Sequence, residues 1–543
     1  MAGRPKGLGL TLLLVWLVVF PLALVVLDAF RGPAGWTFAH IAEFARTPEE
    51  WQALWGSIWI SAASVVASAA IGIPLAFVFE RFDFPGRRLL GALIALPAVL
   101  PPLVGVIAFL FLYGESGFVA RLTRLAFGLD ESPWRLNGAF AILLVHAYSM
   151  YVYFYLFTRA GLARVDSSML EAAQSLGAGR WTALRRVTLP LLRPQIIAAA
   201  LLTFMTSLGS FSAPYMFGGG FRVMTTQIVS TKLNGNDSAA MVETVALAIV
   251  AMIGLVLFRR TSGDRSVAAV GKGAAPARAL QQPVARGLAA ALGWSLAVFV
   301  LLPHFTLILV SFIPIRTWTT QIFPPEYTVG NYGLLFSEPE RLRPLVNSLW
   351  MASVSTVAAV FVALWAGRLI VRRRVALAGV IDTLLSVPWA VPGTVLAIAL
   401  ATTFSVNQPW FGRFVLVGTL VILPLAYFIR SLPMTGGAIV AGFRQLDPGL
   451  DEAAASLGAG RWSTLRRVTI PLLRPAILAS AALAFATGVG DFVTSILLYS
   501  YNTRPIAIEV LSMVRQNDIG VAAAYGVILM LVSAGAMAVG TRR

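Results

Sequence analysis

The chain has 543 residues, of which 58% are hydrophobic and only 12% charged, and its mean hydropathy is +0.80. A soluble protein of this size would need far more charge to cover its surface, so the composition indicates an integral membrane protein. Cysteine is absent, which excludes disulfide scaffolds and thiolate metal sites, and His40, His146 and His304 do not lie in metal-ligand spacing. We therefore expect no resident metal or cofactor, and we interpret the three histidines as interfacial or packed side chains.

Charge-poor runs recur along the whole chain, each long enough to cross ~30 Å of hydrocarbon as a helix rising ~1.5 Å per residue. These runs predict an all-α protein with twelve transmembrane helices. The predicted spans are 8–30, 56–79, 89–113, 139–158, 195–216, 238–258, 288–312, 347–367, 378–404, 414–432, 475–500 and 519–540.

The basic residues predict the orientation of these spans. If both termini are cytoplasmic, the segments on that side hold 29 of the 42 lysine and arginine residues. The cytoplasmic segments are then 1–7, 80–88, 159–194, 259–287, 368–374, 430–474 and 541–543. The net charge of +18 is thus explained by membrane topology, and we expect no nucleic-acid partner.

The two halves of the chain are related by an internal duplication. The windows 171–196 and 452–477 differ at five of 26 positions, with an offset of 281 residues. Because each half has an even number of predicted spans, both copies enter the membrane the same way round, as a parallel repeat. The sequence predicts a first domain over 1–258, a cytoplasmic linker over 259–287 and a second domain over 288–543.

The repeated window lies in the predicted cytoplasmic loop between the fourth and fifth spans of each half. The residues from Asp166 to Ser168 are candidate N-caps of a short helix, and Ser168 and Glu171 have the spacing of a capping box. Gly177 and Gly179 can end this helix in the left-handed conformation. The second copy has Gly449 in place of Ser168 but keeps Glu452, so capping alone does not explain the second glutamate, although shared ancestry could. An interaction with another protein is the interpretation we favour.

Glu-Ala-Ala, three residues and then Gly occurs in both loops, and this pattern resembles the EAA loop of binding-protein-dependent ABC importer permeases. The matching residues are Glu171, Ala172, Ala173, Leu176 and Gly177 in the first loop and Glu452, Ala453, Ala454, Leu457 and Gly458 in the second. The resemblance implies two copies of the MetI-like transmembrane fold, with each loop docked in a groove of an ATPase subunit. It also implies a periplasmic or lipid-anchored solute-binding protein and a location in the bacterial inner membrane.

A fused pair of halves resembles the ferric-ion and thiamine permeases within that family. Iron(III) is therefore the first expectation for the solute, with thiamine, polyamines and phosphonates left open. No lysine lies in the G-x-x-x-x-G-K-[ST] pattern that cradles phosphates, so ATP would be hydrolysed on partner chains and this chain is not expected to be an enzyme. An ion-coupled secondary transporter with two six-span halves is the alternative of another class.

A translocation pathway is expected between the halves, lined largely by spans 3, 5, 9 and 11. Prolines that interrupt spans 3 and 9 are tolerated where protein or water surrounds them, although ordinary kinked helices would also contain them. An acid in span 11 either lines the pathway or makes hydrogen bonds between spans. The candidate pathway residues are Pro97, Pro101, Pro388, Pro392, Asp491 and Ser210, the counterpart of Asp491 in the first half.

Overall fold

The computed structural model describes the whole chain except residues 1–3, 33–34, 263–277, 280–281, 316, 319–322, 373–374, 407–412 and 541–543. In the part that it describes, eleven helices are long and apolar enough to span a membrane, and one bent helix pair makes a twelfth span. The predicted all-α membrane fold with twelve spans is confirmed.

The first half contains six spans with short helices between them. Its helices are Arg4–Leu14, Val15–Val19, Phe20–Asp28, Ala39–Arg46, Pro48–Arg81, Arg87–Leu93, Leu96–Val99, Pro102–Tyr113, Phe118–Phe127, Gly138–Leu162, Ser167–Ser175, Arg180–Ala183, Leu184–Thr188, Leu189–Leu208, Ser212–Phe217, Met224–Leu233 and Asp237–Ser262. A two-residue antiparallel hairpin joins Arg31–Gly32 to Gly35–Trp36.

The second half repeats this order. Its helices are Pro283–Ser311, Gly330–Ser337, Pro339–Gly367, Arg368–Arg372, Ala378–Ala390, Gly393–Ser405, Ile422–Gln445, Gly449–Ser456, Arg461–Thr464, Leu465–Thr469, Ile470–Val489, Ser495–Leu498, Tyr501–Thr503, Ile506–Arg515 and Ile519–Gly540. A short parallel pairing of Phe82–Asp83 with Arg278–Ala279 joins a loop of the first half to the segment between the halves.

Two predicted spans are broken rather than continuous. The segment 89–113 forms a short helix, a 3-10 turn and a new helix from Pro102. The segment 378–404 bends by 107° between Ala390 and Gly393. Prolines at both breaks lack the amide hydrogen that a continuous helix needs, so the helical hydrogen-bond ladder stops and starts again.

Three further predicted spans have wrong ends. The fifth and eleventh, 195–216 and 475–500, end at Leu208 and Val489, and a short separate helix follows each. The tenth, predicted over 414–432, is the helix Ile422–Gln445, so Arg430 lies within a spanning helix and not in a cytoplasmic loop. The orientation argument loses Arg430 by this correction, whereas Arg444 lies in the last turn of the same helix.

Small residues allow the second and fourth spans of each half to pack closely. In Pro48–Arg81 the face buried against Gly138–Leu162 carries serine, alanine and glycine at helical spacing. A Cβ atom on Gly72 would collide with the carbonyl oxygen of Tyr151. Such small-residue interfaces are typical of membrane helices, where close van der Waals contact replaces the hydrophobic effect as the stabilising force.

The first helix of each half crosses over and packs on the other half. Leu10, Leu14, Leu17 and Val18 lie in one apolar cluster with side chains of the second half between Met351 and Leu498. In return, the helix Pro283–Ser311 packs on Phe79, Phe84 and Leu90 of the first half. The hydroxyl of Tyr148 also donates a 2.7 Å hydrogen bond to the carbonyl oxygen of Val300. We name this arrangement the helix exchange.

Most of the predicted linker 259–287 lies outside the described residues. Of its described residues, 259–262 and 283–287 belong to the helices Asp237–Ser262 and Pro283–Ser311, and Arg278–Ala279 form the short strand that pairs with Phe82–Asp83. Helix therefore replaces the irregular chain that was expected at both of its ends.

Candidate functional site

The first repeated loop contains a short helix with a defined start and end. Asp166 is its N-cap, and its carboxylate accepts a 3.0 Å hydrogen bond from the amide of Ser168. The predicted capping box is wrong, because the helix begins at Ser167 and Ser168 lies inside it. At the other end Gly177 has φ of +81°, and the amides of Gly177 and Ala178 donate to the last helical carbonyls in a Schellman motif.

The second loop is built in the same way. Asp447, which is the counterpart of Asp166, accepts a 2.8 Å hydrogen bond from the amide of Gly449. Gly458 has φ of +78° and ends the helix with the same pair of backbone bonds. The same aspartate–amide hydrogen bond therefore occurs at the start of both helices, although Pro448 is the N-cap residue of the second, and this removes the difference that the Ser168 and Gly449 positions suggested.

Both loop helices present an uncovered apolar and acidic surface. Leu176 and Leu457 are each 88% exposed, and Trp181 and Trp462 are each 70% exposed. Glu171 and Glu452 are also exposed, whereas Ala173 and Ala454 turn toward the protein. We name these two surfaces the loop platforms; each contains the five residues of its Glu-Ala-Ala…Gly pattern and the following tryptophan.

The two platforms rest on the membrane helices by different contacts. Asp451 in the second loop forms a 3.2 Å ion pair with Arg372 at the end of the eighth span. Its counterpart in the first loop is Leu170, which packs in an apolar cluster with Phe77 and Leu192. Two loops with the same backbone conformation are thus held differently, the second by an ion pair and the first by apolar contacts.

A cavity of about 400 Å³ lies between the halves, and all six candidate pathway residues line it. The proline breaks of spans 3 and 9 form one part of its wall. Spans 5 and 11 contribute another part, as expected. The fourth and tenth spans, which were not predicted to line it, contribute His146, Tyr153, Tyr427 and Arg430.

Asp491 is almost fully buried at the wall of this cavity and is paired. Its carboxylate accepts a 2.9 Å hydrogen bond from the amide of Thr494, and it lies 2.9 Å from Nη1 of Arg430. The side chain of Asp491 is 7% exposed and that of Arg430 is 37% exposed. Asp491 therefore caps the short helix that follows and links span 11 to span 10.

The first half has neutral groups at the corresponding place. Nε2 of His146 lies 2.9 Å from the hydroxyl of Ser210, and Nδ1 lies 2.9 Å from Ser64 and 3.1 Å from Ser207. His146 is thus a packed, hydrogen-bonded histidine. The cavity has an ion pair on the side of the second half and a histidine–serine cluster on the side of the first.

An aromatic contact between the two halves forms part of the cavity wall. Phe211 and Phe492 occupy equivalent positions in the repeat, are buried, and meet with ring centroids 5.4 Å apart. Beside them a Cβ on Gly490 would lie 2.8 Å from Pro101, and one on Gly209 would lie 3.7 Å from Pro392. We name Phe211, Phe492 and these two glycine–proline contacts the seam.

Arg430, Phe211 and Phe492 were missed by sequence reasoning. The two phenylalanines could have been found, because both follow the Ser210 and Asp491 positions at the same offset. Arg430 could not be assigned to the cavity wall from the sequence, because it lay near the predicted end of span 10 at residue 432. Within the described ranges, no group of three or more histidine, aspartate or glutamate side chains could hold a metal ion.

Comparison with known proteins gives one family match, repeated in both halves. The model of the family described as "Binding-protein-dependent transport system inner membrane component" matches residues 68–264 and 358–541. Each match contains one loop platform and one proline break.

Three curated relatives align over most of the chain. A probable ABC transporter permease protein, y4fN of Sinorhizobium fredii, is 32% identical over 97% of this chain and 93% of its own length. The ferric transport system permease protein FbpB of Actinobacillus pleuropneumoniae is 26% identical over 97% of this chain and 76% of its own length. The thiamine transport system permease protein ThiP of Escherichia coli is 28% identical over 84% of each chain.

Proposed function

Because this chain belongs to the family of binding-protein-dependent transport system inner membrane components, we propose that it forms the whole translocation pathway of an ABC importer as a fused pair of permease halves. It is a transport subunit, as its relatives are, and not an enzyme. Its two MetI-like domains would be 1–258 and 288–543, joined by the linker 259–287.

The loop platforms carry this proposal. Two surfaces with the same caps, the same exposed leucine and tryptophan and the same exposed glutamate fit two copies of one partner. Side chains as apolar as Leu176 and Trp181 would be covered if a partner docked there, and tryptophan is a frequent anchor at protein interfaces. Each platform would insert into a groove of one ATPase subunit, which makes two ATPase copies per chain.

The seam and the cavity supply the second part of the mechanism. When the ATPases close on nucleotide, they would draw the two platforms together, and the rigid spans would transmit this movement to the seam. The cavity would then open on the side of the solute-binding protein and accept solute, and open toward the platforms after hydrolysis. Such alternation is a two-state equilibrium biased by partner contacts.

In this proposal the platforms and both termini would lie in the cytoplasm of a bacterium, with the chain in its inner membrane. The solute-binding protein, periplasmic or lipid-anchored, would dock on the opposite face, at the far side of the seam. Basic residues concentrated on the platform side support this orientation.

Iron(III) is the first candidate for the transported solute. A relative that aligns over 97% of this chain is named for ferric transport, and a second relative is named for thiamine transport. Thiamine is therefore the second candidate, and polyamines and phosphonates are further possibilities. Binding measurements on the solute-binding protein encoded with this chain would identify the solute directly.

The decisive experiment replaces Glu171 and Glu452 with alanine, singly and together, in the chain purified with its ATPase. We expect each single change to weaken ATPase association and the double change to abolish solute-stimulated ATP hydrolysis. Glu49→Ala is the matched control, because Glu49 is an exposed glutamate at the opposite end of the spans. Undiminished association in the double variant would contradict the docking proposal. Transport by the chain without any ATPase would favour the ion-coupled alternative.

A further inference from the structure

A single cationic side chain faces the cavity between the halves. Among the described residues that line it, Arg430 and Asp491 are the only charged ones. The guanidinium of Arg430 uses Nη1 for its contacts with Asp491 and Thr494, at 2.9 Å each. Its Nε and Nη2 atoms make no hydrogen bond to any residue in the described ranges, and they form the planar edge that binds two oxygens of one anion best.

For a solute in the cavity, the negative charge of Asp491 does not cancel the positive charge of Arg430. The side chain of Asp491 is only 7% exposed and accepts hydrogen bonds from the amides of Thr494 and Ser495, whereas 37% of the Arg430 side chain is exposed. A solute in the cavity therefore meets the positive partner first. The apolar protein walls around the cavity lower the local dielectric, so the attraction is screened less than at an open surface.

The backbone is shaped to hold Arg430 in this place. A Cβ on Gly393 would collide with Nη1 of Arg430, so the glycine after the second proline break leaves the space that the guanidinium fills. The 13-residue helix Gly393–Ser405 also starts at this wall, and its positive dipole end adds to the field of the arginine. Two independent features thus favour negative charge at one point of the cavity.

We propose that this cavity binds an oxygen-bearing anion through the free edge of Arg430. The inference rests on the proposed function and names the class of its solute: a tetrahedral oxyanion, or an iron(III) chelate whose carboxylates carry net negative charge. A bare ferric ion or a cationic solute such as thiamine would be repelled by the guanidinium. Hydroxyl groups of Ser149, Thr206 and Ser210 line the same cavity and suit the remaining oxygens of either anion.

The test measures direct binding to the full-length chain, purified with its ATPase and placed in lipid nanodiscs. The probes are radiolabelled phosphate, molybdate and ferric citrate, with thiamine as the cationic comparison. We expect at least one anion to bind, and Arg430→Gln to lower its affinity by about tenfold or more, the effect of losing a charge-assisted hydrogen-bond pair. Which anion binds distinguishes a free oxyanion from a chelate.

Matched variants separate a binding role from a structural one. Arg444→Gln removes a cation from the same helix, where Arg444 pairs with Asp382 outside the cavity, and should leave affinity unchanged. Arg430→Gln combined with Asp491→Asn removes both charges, so no buried acid is left unpaired, and it should still lose binding. Gly393→Ala should weaken binding by displacing the guanidinium, whereas Gly437→Ala, which meets nothing within 4 Å, should not.

Each outcome decides the proposal. Failure of the wild type to bind any of the three anions, equal affinity in the Arg430→Gln protein, or tighter binding of thiamine would overturn it. ATP hydrolysis stimulated by the solute-binding protein is measured on the same samples. Loss of that stimulation with intact anion binding would contradict the importer mechanism but not the anion site.

Discussion

Asp491 illustrates how a charged residue is kept at membrane depth. Two alternatives were open for it, a pathway-lining role and hydrogen bonding between spans, and its geometry satisfies both descriptions. The carboxylate caps the short helix Ser495–Leu498 and pairs with Arg430, while its edge touches the cavity. An acid that is fully hydrogen-bonded in this way is held by the fold, and its cationic partner is the group left to face a solute.

Replacing Asp491 with asparagine should destabilise the protein by about 2 kcal/mol. The variant loses a buried ion pair and one helix-capping acceptor, and the part of Arg430 that is exposed reduces the penalty. Thermal unfolding of the purified chain measures this. Asp237→Asn is the control, because Asp237 pairs with Lys232 at an exposed position and should change stability by less than about 0.5 kcal/mol. Equal effects of the two changes would contradict the role of Asp491 as a buried cap.

Comparison of the halves drew attention to residues that lie around one cavity, whereas several predicted span boundaries were wrong. The candidate prolines, Ser210 and Asp491 were found by comparing the halves, and the structure brings them around one cavity. Arg430 was counted among the cytoplasmic basic residues, although the predicted span 414–432 also contains it. The helix continues to Gln445, since the ion pair with Asp491 makes the charge tolerable there.

At the scale of single elements, the repeated loops show that equal sequences give equal local structure even when their contacts differ. In both loops an aspartate accepts an amide hydrogen bond where the helix starts and a left-handed glycine ends the helix, although an ion pair supports one helix and an apolar cluster the other. The C-terminal glycine was predictable from the sequence, because only glycine takes that conformation cheaply. The sequence alone did not show whether the aspartate or the serine two residues later is the N-cap of the first loop helix.

Gly177→Ala and Gly458→Ala should each impair coupling while leaving the spans folded. Alanine at φ near +80° costs about 1 kcal/mol, and that cost falls on an eight- or nine-residue helix that must present its platform in one orientation. The ATPase affinity of each variant measures the effect, which we expect to be several-fold. Gly179→Ala and Gly460→Ala are matched controls two residues away, where φ is not positive and a Cβ meets nothing within 4 Å. Similar losses in all four variants would refute the conformational explanation.

At the scale of the whole molecule, the halves meet through equivalent residues around the seam. Phe211 faces Phe492, and the glycine that follows each inner helix faces the proline break of the opposite half. Because these contacts are small and tightly packed, the seam is expected to exist in discrete closed and open states rather than to deform gradually.

The seam is not fully symmetric, and this asymmetry yields a prediction. Gly490→Ala places a Cβ 2.8 Å from Pro101, so the proline must move and the closed seam should loosen. Gly209→Ala meets Pro392 only at 3.7 Å, an ordinary contact, and should be tolerated. We expect raised ATP hydrolysis without solute and lower transport in the first variant, measured in proteoliposomes. Identical behaviour of the two variants would show that the seam does not govern opening.

The overall plan of twelve spans in a parallel repeat could be predicted from hydropathy and from the duplicated window. The helix exchange could not. Leu10, Leu14 and Leu17 belong to a run that is apolar on every face, so the sequence predicts that it spans the bilayer but not which neighbours it contacts. The breaks in spans 3 and 9 were predicted only in part, because the prolines indicated where each span breaks but not the angle of its bend.

The helix exchange also sets an order of events during synthesis. Leu10 and Leu14 are synthesised more than three hundred residues before their partners between Met351 and Leu498. At ~5–20 residues per second, roughly 20–70 seconds pass between the synthesis of this segment and the synthesis of the residues on which it packs. Nascent chains halted before residue 350 should therefore leave this segment exposed to lipid-soluble crosslinkers, and completed chains should protect it.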